Sequence, residues 1–205
     1  RKCKLITVKK ILPFFSYLFH PLFISVFATV FYFFATNNNY IYETIYLYVI
    51  QVLLVTVFIP LACFYLLIML GKIDSLMVSK VSQRKIPLIL HVLLLFILII
   101  KSITKNELPE LYYFFLGSII SSVIALFLVF FSKKVSLHML GMSGLTLFCI
   151  GCCLHFQVRA ITFISVLLLC NGLVGSSRLY MKAHTTKELV LGYLIGLFPQ
   201  LLLFF

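Results

Sequence analysis

The segment from Ser177 to Glu188 combines an arginine, a histidine and a carboxylate at a spacing suited to nucleophilic catalysis. Arg178 ends an apolar run, His184 follows after five intervening residues, and Glu188 lies four residues further on. If a helix begins near Thr185, His184 and Glu188 are about one turn apart, so Glu188 can accept a hydrogen bond from one imidazole nitrogen while the other faces a substrate. The spacing predicts a nucleophile held by a carboxylate, with an incidental i,i+4 pair at a membrane surface as the alternative.

A second polar cluster opens another apolar run. Ser136-Leu137-His138 follows Lys133 and Lys134, which makes Ser136 a candidate N-cap and places His138 in the first helical turn. A helix N-terminus with free N–H groups, a hydroxyl and nearby cations can bind an anion. The alternative is an ordinary capped helix flanked by lysines that extend towards the headgroups.

Composition excludes a soluble globular domain. The chain has 205 residues, 63% of them apolar and 11% charged, with a mean hydropathy of +1.17. The five acidic residues are too few and too scattered for a magnesium centre built from several carboxylates. The net charge of +12 favours anionic headgroups or phosphorylated substrates, and we expect no nucleic-acid partner.

Apolar runs long enough to cross a hydrocarbon layer of about 30 Å recur along the whole chain. The charged and polar breaks between them leave no room for a soluble domain. The prediction is an all-α polytopic transmembrane helix bundle, a single domain over residues 1–205 with about seven spans. The predicted spans are 11–35, 45–70, 86–104, 112–132, 138–157, 160–177 and 188–205.

The distribution of positive charge predicts an orientation. The N-terminus and the loops after the second, fourth and sixth spans carry all Lys and Arg except Lys101, Lys105 and Arg159. The positive-inside rule therefore places the N-terminus and these loops in the cytoplasm of a multi-pass inner or plasma membrane protein. With no Trp in the chain, tyrosines such as Tyr40 and Tyr48 should mark the opposite membrane interface.

The remaining histidines and the cysteines favour structural roles. His20 and His91 lie within spans, where either can form a hydrogen bond between helices, and His155 lies at a turn near the opposite interface. Cys149-x-x-Cys152-Cys153 has a metal-like or redox-like spacing. It lies inside one apolar helical run without a companion pair, which favours packing residues over a metal or disulfide site.

The pattern Ser-Arg-x5-His-x3-acid, preceded about 40 residues earlier by Ser-x-His, resembles the type-2 phosphatidic acid phosphatase superfamily of integral membrane lipid phosphatases. The usual signatures of that family are Lys-x6-Arg-Pro, Pro-Ser-Gly-His and Ser-Arg-x5-His-x3-Asp. The resemblance covers residues 72–200, and the third motif is its specific part. Val135 and Leu137 replace the Pro and Gly of the second motif, and Glu188 replaces the Asp of the third.

The resemblance implies a phosphohistidine mechanism without metal or cofactor, acting on a phosphate monoester or diphosphate of a membrane lipid. Any membrane protein partner is not predictable from the sequence. His184 would be the nucleophile, Glu188 would orient it, and His138 would be the general acid. The implied phosphate-binding residues are Arg178, Ser136, Arg84 and Lys80, with Pro87 completing a loose first motif in which Lys72 is an alternative lysine.

The number of predicted spans supports this assembly independently of any family. Two spans separate the 72–87 loop from His138, and two more separate His138 from Arg178 and His184. An even number of crossings returns the chain to the same face, so the three clusters can meet in one pocket. Phosphoryl transfer also suits these cationic residues, because its transition state is stabilised by well-placed positive charges. Arg in addition forms bidentate contacts with phosphate that Lys cannot.

Two other functions remain open on the sequence. Gly141-Met142-Ser143-Gly144 resembles the Gly-x-Ser-Gly of rhomboid-like intramembrane serine proteases, with Ser143 as nucleophile and His184 as base. The loose first and second motifs also fit a non-catalytic membrane subunit that keeps the fold with an eroded phosphatase site. In either case the glycines of two spans should allow close helix packing; these are Gly141, Gly144, Gly151, Gly192 and Gly196.

Overall fold

The computed structural model describes residues 12–36, 40–78 and 80–204. It is 80% helical, and no strand occurs in the ranges described. The α-helices, numbered in chain order, are α1 (Leu12–Leu18), α2 (Pro21–Ala35), α3 (Tyr42–Leu53), α4 (Ile59–Met69), α5 (Lys85–Lys101), α6 (Pro109–Phe130), α7 (Leu137–His155), α8 (Ile161–Tyr180) and α9 (Thr186–Phe204).

Within the described residues, six helical segments are long and apolar enough to cross a membrane, and α1 with α2 forms a seventh span if the bent pair is counted as one. This confirms the predicted all-α polytopic bundle. A π-helical turn joins α3 and α4 into one span, and a 3-10 turn leads into α5. The six spans are Tyr42–Met69, Val81–Lys101, Pro109–Phe130, Leu137–His155, Ile161–Tyr180 and Thr186–Leu203.

The first span differs from a simple helix because it bends by 66° between α1 and α2. Pro21 is the cause: its ring disfavours the helical conformation of the preceding residue, and His20 accordingly has an extended backbone with ψ of 141°. The Nδ1 atom of His20 accepts a hydrogen bond of 3.4 Å from the Leu22 N–H and so caps α2. The bend therefore places a polar ring at the level where the chain turns.

The second span contains the π turn Leu54–Phe58 immediately before Pro60. Because Pro60 has no N–H, the carbonyl groups one turn earlier lose an ordinary helical partner, and the hydrogen bonding shifts to a wider turn. Ile59 N–H donates to Leu54 O in this turn. The local widening turns Pro60 towards the interior of the bundle.

Helix α7 is the centre of the bundle. It packs against α2, α6, α8 and α9, and 61% of its apolar stretch is buried, compared with 44% for α6 and 28% for the other four spans. Cys149 and Cys152 lie fully buried in its core-facing surface, as expected of packing residues. The N-terminal turn of α7 carries His138, so the most buried helix positions one of the predicted site residues.

The seam between α7 and α9 depends on two glycines. A Cβ atom at Gly196 would overlap the carbonyl oxygen of Leu140 and the hydroxyl of Ser143, and one at Gly192 would meet the carbonyl oxygen of Ser136. Backbone therefore packs directly on backbone along this seam. The close packing predicted for Gly192-x-x-x-Gly196 is confirmed.

The end of the bundle that carries Lys105 and His155 is held by tyrosines and carboxylates. Tyr32 OH donates to Glu110 Oε2 at 3.1 Å, Tyr48 OH donates to Glu107 Oε2 at 3.0 Å, and His155 Nε2 lies 3.1 Å from Glu110 Oε1. These contacts join α2, α3, α6 and α7. The expected clustering of tyrosines at this end is confirmed, and their hydroxyl groups form a polar clamp there.

Replacing Gly196 with Ala should destabilise the bundle, because the added methyl group forces α7 and α9 apart. We expect a loss of about 1–3 kcal/mol in the free energy of unfolding, measured as a lower thermal midpoint of the purified protein in detergent. Gly172→Ala on α8 is the matched control, since a Cβ there meets no atom within 4 Å. Equal midpoints for Gly196→Ala and Gly172→Ala would contradict direct backbone packing at the seam.

Candidate functional site

A cavity of about 120 Å³ lies at the end of the bundle where α2, α5, α7 and α9 begin and α8 ends. Apolar residues from α2, α4 and α5, such as Leu22, Phe64 and Leu88, form much of its wall. Its ionisable lining residues come from five parts of the chain; they are His20, Arg84, His91, His138, Arg178 and His184. Cations and imidazoles that are remote in sequence therefore face one space.

The site residues meet at one end of the bundle because an even number of spans separates their clusters. Arg84 ends the 3-10 turn before α5, His138 lies in the first turn of α7, Arg178 is in the last turn of α8, and His184 precedes α9. All four lie at the same end of the bundle and line the same cavity. Four of the predicted site residues are thus brought together.

His184 is held by the carboxylate predicted to orient it. Its Nδ1 atom is 2.7 Å from Glu188 Oε2. A carboxylate accepts hydrogen bonds, so Nδ1 carries the hydrogen and Nε2 is left with its lone pair. The side chain of His184 is only 1% exposed, which leaves the cavity as the space into which the ring opens.

Glu188 also closes a capping box with Thr185. Thr185 N–H donates to Glu188 Oε2 and Glu188 N–H donates to Thr185 Oγ1, each at 3.4 Å. The longer side chain of Glu reaches back across this turn to both the helix start and the imidazole. Glu188 therefore holds the imidazole and ties it to the first turn of α9.

Burial lowers the pKa of His184 from 6.5 to about 4. The hydrogen bond to Glu188 opposes this shift, and the positive charges of Arg84, Arg178 and Lys134 add to it. The imidazole is consequently neutral at pH 7. A neutral imidazole with an unprotonated Nε2 is the form that can act as a nucleophile.

His138 is held by α1, an element that the sequence patterns did not connect with the site. Its Nε2 atom lies 3.0 Å from the carbonyl oxygen of Ser16, and its ring packs edge-on against His20 with centroids 5.3 Å apart. A carbonyl only accepts, so Nε2 carries the hydrogen and Nδ1 remains available for proton transfer. Ser16 is fully buried and its hydroxyl lies 2.6 Å from that of Ser177.

Ser136 has the predicted capping role. Its side chain accepts a hydrogen bond of 3.4 Å from Met139 N–H at the start of α7, and its own N–H donates to the Glu188 carbonyl at 3.2 Å. Ser136 is fully buried and is not among the residues lining the cavity. It connects the first turns of α7 and α9 and so holds the two predicted catalytic histidines in register.

Arg84 is buried and braces two loops. Its Nε donates to Val78 O at 2.9 Å and its Nη1 donates to Val135 O at 2.7 Å. The carbonyl group of Val135, the residue before Ser136, therefore takes part in the site. Pro87, one turn further along α5, lines the cavity beside Arg84.

Arg178 has unused hydrogen-bonding capacity. Its Nε atom is buried without a partner among the described residues, and its Nη1 lies 3.9 Å from the Met77 thioether, a weak acceptor. An unpaired buried donor costs about 1–3 kcal/mol, and more when it is charged. The guanidinium can therefore donate hydrogen bonds to an anion in the cavity that it lines.

Lys80 lies apart from this group. It forms an ion pair of 2.8 Å with Asp74 in the loop before α5, and its side chain is 65% exposed. That contact with Lys80 lowers the pKa of the Asp74 carboxyl. Lys80 is not among the cavity-lining residues, so the structure brings Arg84 and Pro87 of the first motif to the site but leaves its proposed lysine at the surface.

His20, Met77 and Val78 belong to the site although no catalytic motif includes them. The signal for His20 was available in the sequence, because a histidine before a proline inside an apolar span marks a helix break with a polar side chain. Met77 and Val78 contribute a thioether and a backbone carbonyl, which no spacing pattern reveals.

Ser143, the nucleophile of the protease alternative, points elsewhere. Its hydroxyl donates to Leu140 O at 3.0 Å and lies against Gly196 at the seam between α7 and α9. Ser143 is buried and does not appear in the lining of the cavity that contains His184. Its position is that of a small packing residue.

Comparison of the chain with protein-family models, curated proteins and solved structures finds no match.

The lowered pKa of His184 predicts an acid sensitivity of folding. Between about pH 6.5 and pH 4 the folded state binds fewer protons at this residue than the unfolded state, so stability should fall as the pH decreases through that range. We expect His184→Gln to lose less thermal stability than the parent between pH 7 and pH 5, measured in detergent. Lys187→Gln, exposed in the same turn of α9, is the control and should behave like the parent. An equal loss in all three proteins would contradict the lowered pKa.

Proposed function

We propose that this protein is a membrane lipid phosphatase that forms a phosphohistidine at His184. The observation that carries the proposal is the His184–Glu188 contact of 2.7 Å at the edge of a cavity that also contains Arg84, His138 and Arg178. This arrangement supplies an oriented nucleophile, a second imidazole and two guanidinium groups at one place. The substrate class is a phosphate monoester or diphosphate of a membrane lipid.

In the first half of the reaction, the lone pair of His184 Nε2 forms a bond to phosphorus and the bond from phosphorus to the lipid oxygen breaks. For this step His138 takes up a second proton at Nδ1 when the negatively charged substrate binds, because the phosphate offsets the positive charge of the ring. The leaving oxygen then takes that proton from Nδ1, while Nε2 stays bonded to Ser16 O. Phosphorylation at Nε2 makes the His184 ring positive, because Nδ1 keeps its hydrogen. The Glu188 carboxylate stabilises that charge.

In the second half, a water molecule attacks phosphorus and gives a proton to His138 Nδ1. The phosphorus–nitrogen bond breaks, its electron pair returns to His184 Nε2, and inorganic phosphate leaves. The site then has the protonation state in which it began. The same imidazole thus acts first as acid and then as base.

The two arginines stabilise the negative charge of the transferred group. Phosphoryl transfer through a loose transition state depends mainly on position and electrostatic stabilisation, which preorganised guanidinium groups provide. Arg84 is fixed by two carbonyl groups before substrate enters, while Arg178 has free hydrogen-bonding capacity for the phosphate oxygens. The proposed reaction therefore requires no metal ion.

Replacing His184 with Ala should reduce hydrolysis to background, because the atom that accepts phosphorus is removed. Replacing His138 with Ala should lower kcat about 10²- to 10⁴-fold through loss of the general acid. The measurement is phosphate release from a lipid phosphate by the purified protein in detergent micelles. Parent activity should be sensitive to vanadate and insensitive to chelators.

His155→Ala provides the matched control. His155 is the last residue of α7, the helix that begins beside His138; it lies at the opposite end of the bundle, and its side chain is 60% exposed. It should retain parental activity. Acid-labile label from a ³²P-phosphorylated substrate should be trapped on the parent protein and be absent from His184→Ala. Undiminished release by His184→Ala would refute this mechanism, and absence of release by the parent would favour a non-catalytic subunit.

The side of the membrane on which the cavity lies is a separate prediction. The charge distribution favours a cavity that opens to the cytoplasm. In Lys182→Cys the new thiol should therefore react with a membrane-impermeant maleimide only in inverted vesicles. The background is a variant with its native cysteines replaced by serine or alanine. Lys105→Cys, at the opposite end of the bundle, should show the reverse accessibility. The opposite pattern at both positions would place the site on the outer side.

A further inference from the structure

The cavity wall contains a second polar region beyond the arginines. His91 on α5 and Ser118 and Ser122 on α6 line the cavity together with apolar residues such as Leu88 and Leu90. None of the three belongs to the phosphate-binding motifs. Their presence needs an explanation because α5 and α6 are membrane-spanning helices, in which polar side chains cost free energy.

This region lies deeper in the bundle than the phosphate site. His91 follows Arg84 by seven residues, which is about two helical turns or roughly 10 Å along the axis. Both side chains line the cavity, so they lie on the same face of the segment. Ser118 and Ser122 are one turn apart on α6, which packs against α5.

The polar groups of this region have capacity to bind a ligand. Among the residues that the structure describes, neither the His91 imidazole nor the Ser122 hydroxyl has a hydrogen-bonding partner, and Ser122 is only 4% exposed. The Ser118 hydroxyl donates to Phe114 O at 2.9 Å, which leaves its oxygen free to accept. Unpaired polar groups away from bulk water favour an occupant that supplies the missing hydrogen bonds.

We propose that His91, Ser118 and Ser122 form a specificity subsite that recognises a hydrogen-bonding group in the backbone of the lipid, within a few bonds of its phosphate. The proposal rests on the proposed phosphatase function. A lipid phosphate with a hydroxyl, ester or amide group beside the phosphoester can satisfy the subsite. A simple alkyl or polyprenyl phosphate offers only hydrocarbon at that depth and leaves the same groups unpaired.

The subsite distinguishes these two substrate classes by hydrogen bonding. A carbonyl oxygen of the lipid can accept from the His91 ring or the Ser122 hydroxyl, and a lipid hydroxyl can also donate to the Ser118 oxygen. The apolar residues between Arg84 and His91 accommodate the carbon atoms that join the phosphate to the backbone group. The cavity wall is thus complementary to such a lipid along its length. Arginines face the phosphate, apolar residues face the connecting carbon atoms, and hydrogen-bonding side chains face the polar backbone group.

The kinetic test compares a monoacylglycerol phosphate with an alkyl phosphate of matched chain length, at equal surface concentration in mixed micelles. We expect the parent to favour the monoacylglycerol phosphate in kcat/KM by about tenfold or more. His91→Phe and Ser122→Ala should each reduce that preference roughly three- to tenfold, with the kcat/KM of the alkyl phosphate unchanged. His91→Gln, which keeps hydrogen-bonding atoms, should retain part of the preference.

Ser121→Ala is the matched control for Ser122→Ala. Ser121 is the neighbouring residue on α6, but its hydroxyl donates to Ile195 O at 2.9 Å and it does not line the cavity. Its replacement should leave the substrate preference at the parental value. A change equal to that of Ser122→Ala would show a general packing effect and would overturn the subsite.

A binding measurement separates the subsite from catalysis. Non-hydrolysable phosphonate analogues of the two substrates are added to the parent and to His91→Phe, and the thermal midpoint of each is recorded. The monoacylglycerol phosphonate should stabilise the parent more than the alkyl phosphonate, and the difference should disappear in His91→Phe. Hydrolysis of both substrates without preference, in a parent that also binds both analogues equally, overturns the subsite and leaves the phosphatase intact. A preference in binding with no hydrolysis supports the subsite and contradicts the phosphatase, while a parent that neither binds nor hydrolyses overturns both.

Discussion

Direct backbone packing between α7 and α9 is the constraint on which the site depends. Gly192 and Gly196 permit the two helices to approach until Ser136 N–H reaches the Glu188 carbonyl at 3.2 Å. That contact aligns the first turn of α7, which carries His138, with the turn that contains His184. Side chains at either glycine would separate the helices and with them the two imidazoles. The geometry of the candidate site is therefore set by helix packing several residues away from the imidazole rings.

The site combines buried cations without an equal number of carboxylates, which is costly in a bundle that spans a membrane. The two arginines differ in how their hydrogen-bond donors are satisfied. Arg84 is satisfied by backbone carbonyl groups from two loops and so stiffens the site, while Arg178 keeps an unpaired Nε and a weak thioether contact. The cost of the second arrangement is offset when an anion binds. This difference is the electrostatic basis of the proposed phosphate site.

The two ends of the bundle have different chemistry. At one end Tyr32, Tyr48, Glu107, Glu110 and His155 form direct polar contacts that join α2, α3, α7 and the start of α6. At the other end the polar groups surround an open space and several remain without partners in the described parts of the chain. Polar groups with unused hydrogen-bonding capacity are thus available for a ligand in the cavity that contains Arg178 and His184. The polar residues His91, Ser118 and Ser122 extend that cavity into the interior of the bundle.

Local features of the sequence determined the apolar helical spans, the starts of α7 and α9, and the separation of His184 and Glu188 by one helical turn. These properties depend on apolar run length, capping residues and helical period, all of which are contained in short segments. The even number of crossings then placed Arg84, His138, Arg178 and His184 at one end.

The tertiary structure alone decided three contacts of the site. Lys80 pairs with Asp74 outside the cavity, Ser136 caps α7 without lining the cavity, and Ser16 holds His138. The physical reason is that hydropathy places a residue at a depth in the membrane, whereas helix bends and crossing geometry decide which way its side chain points.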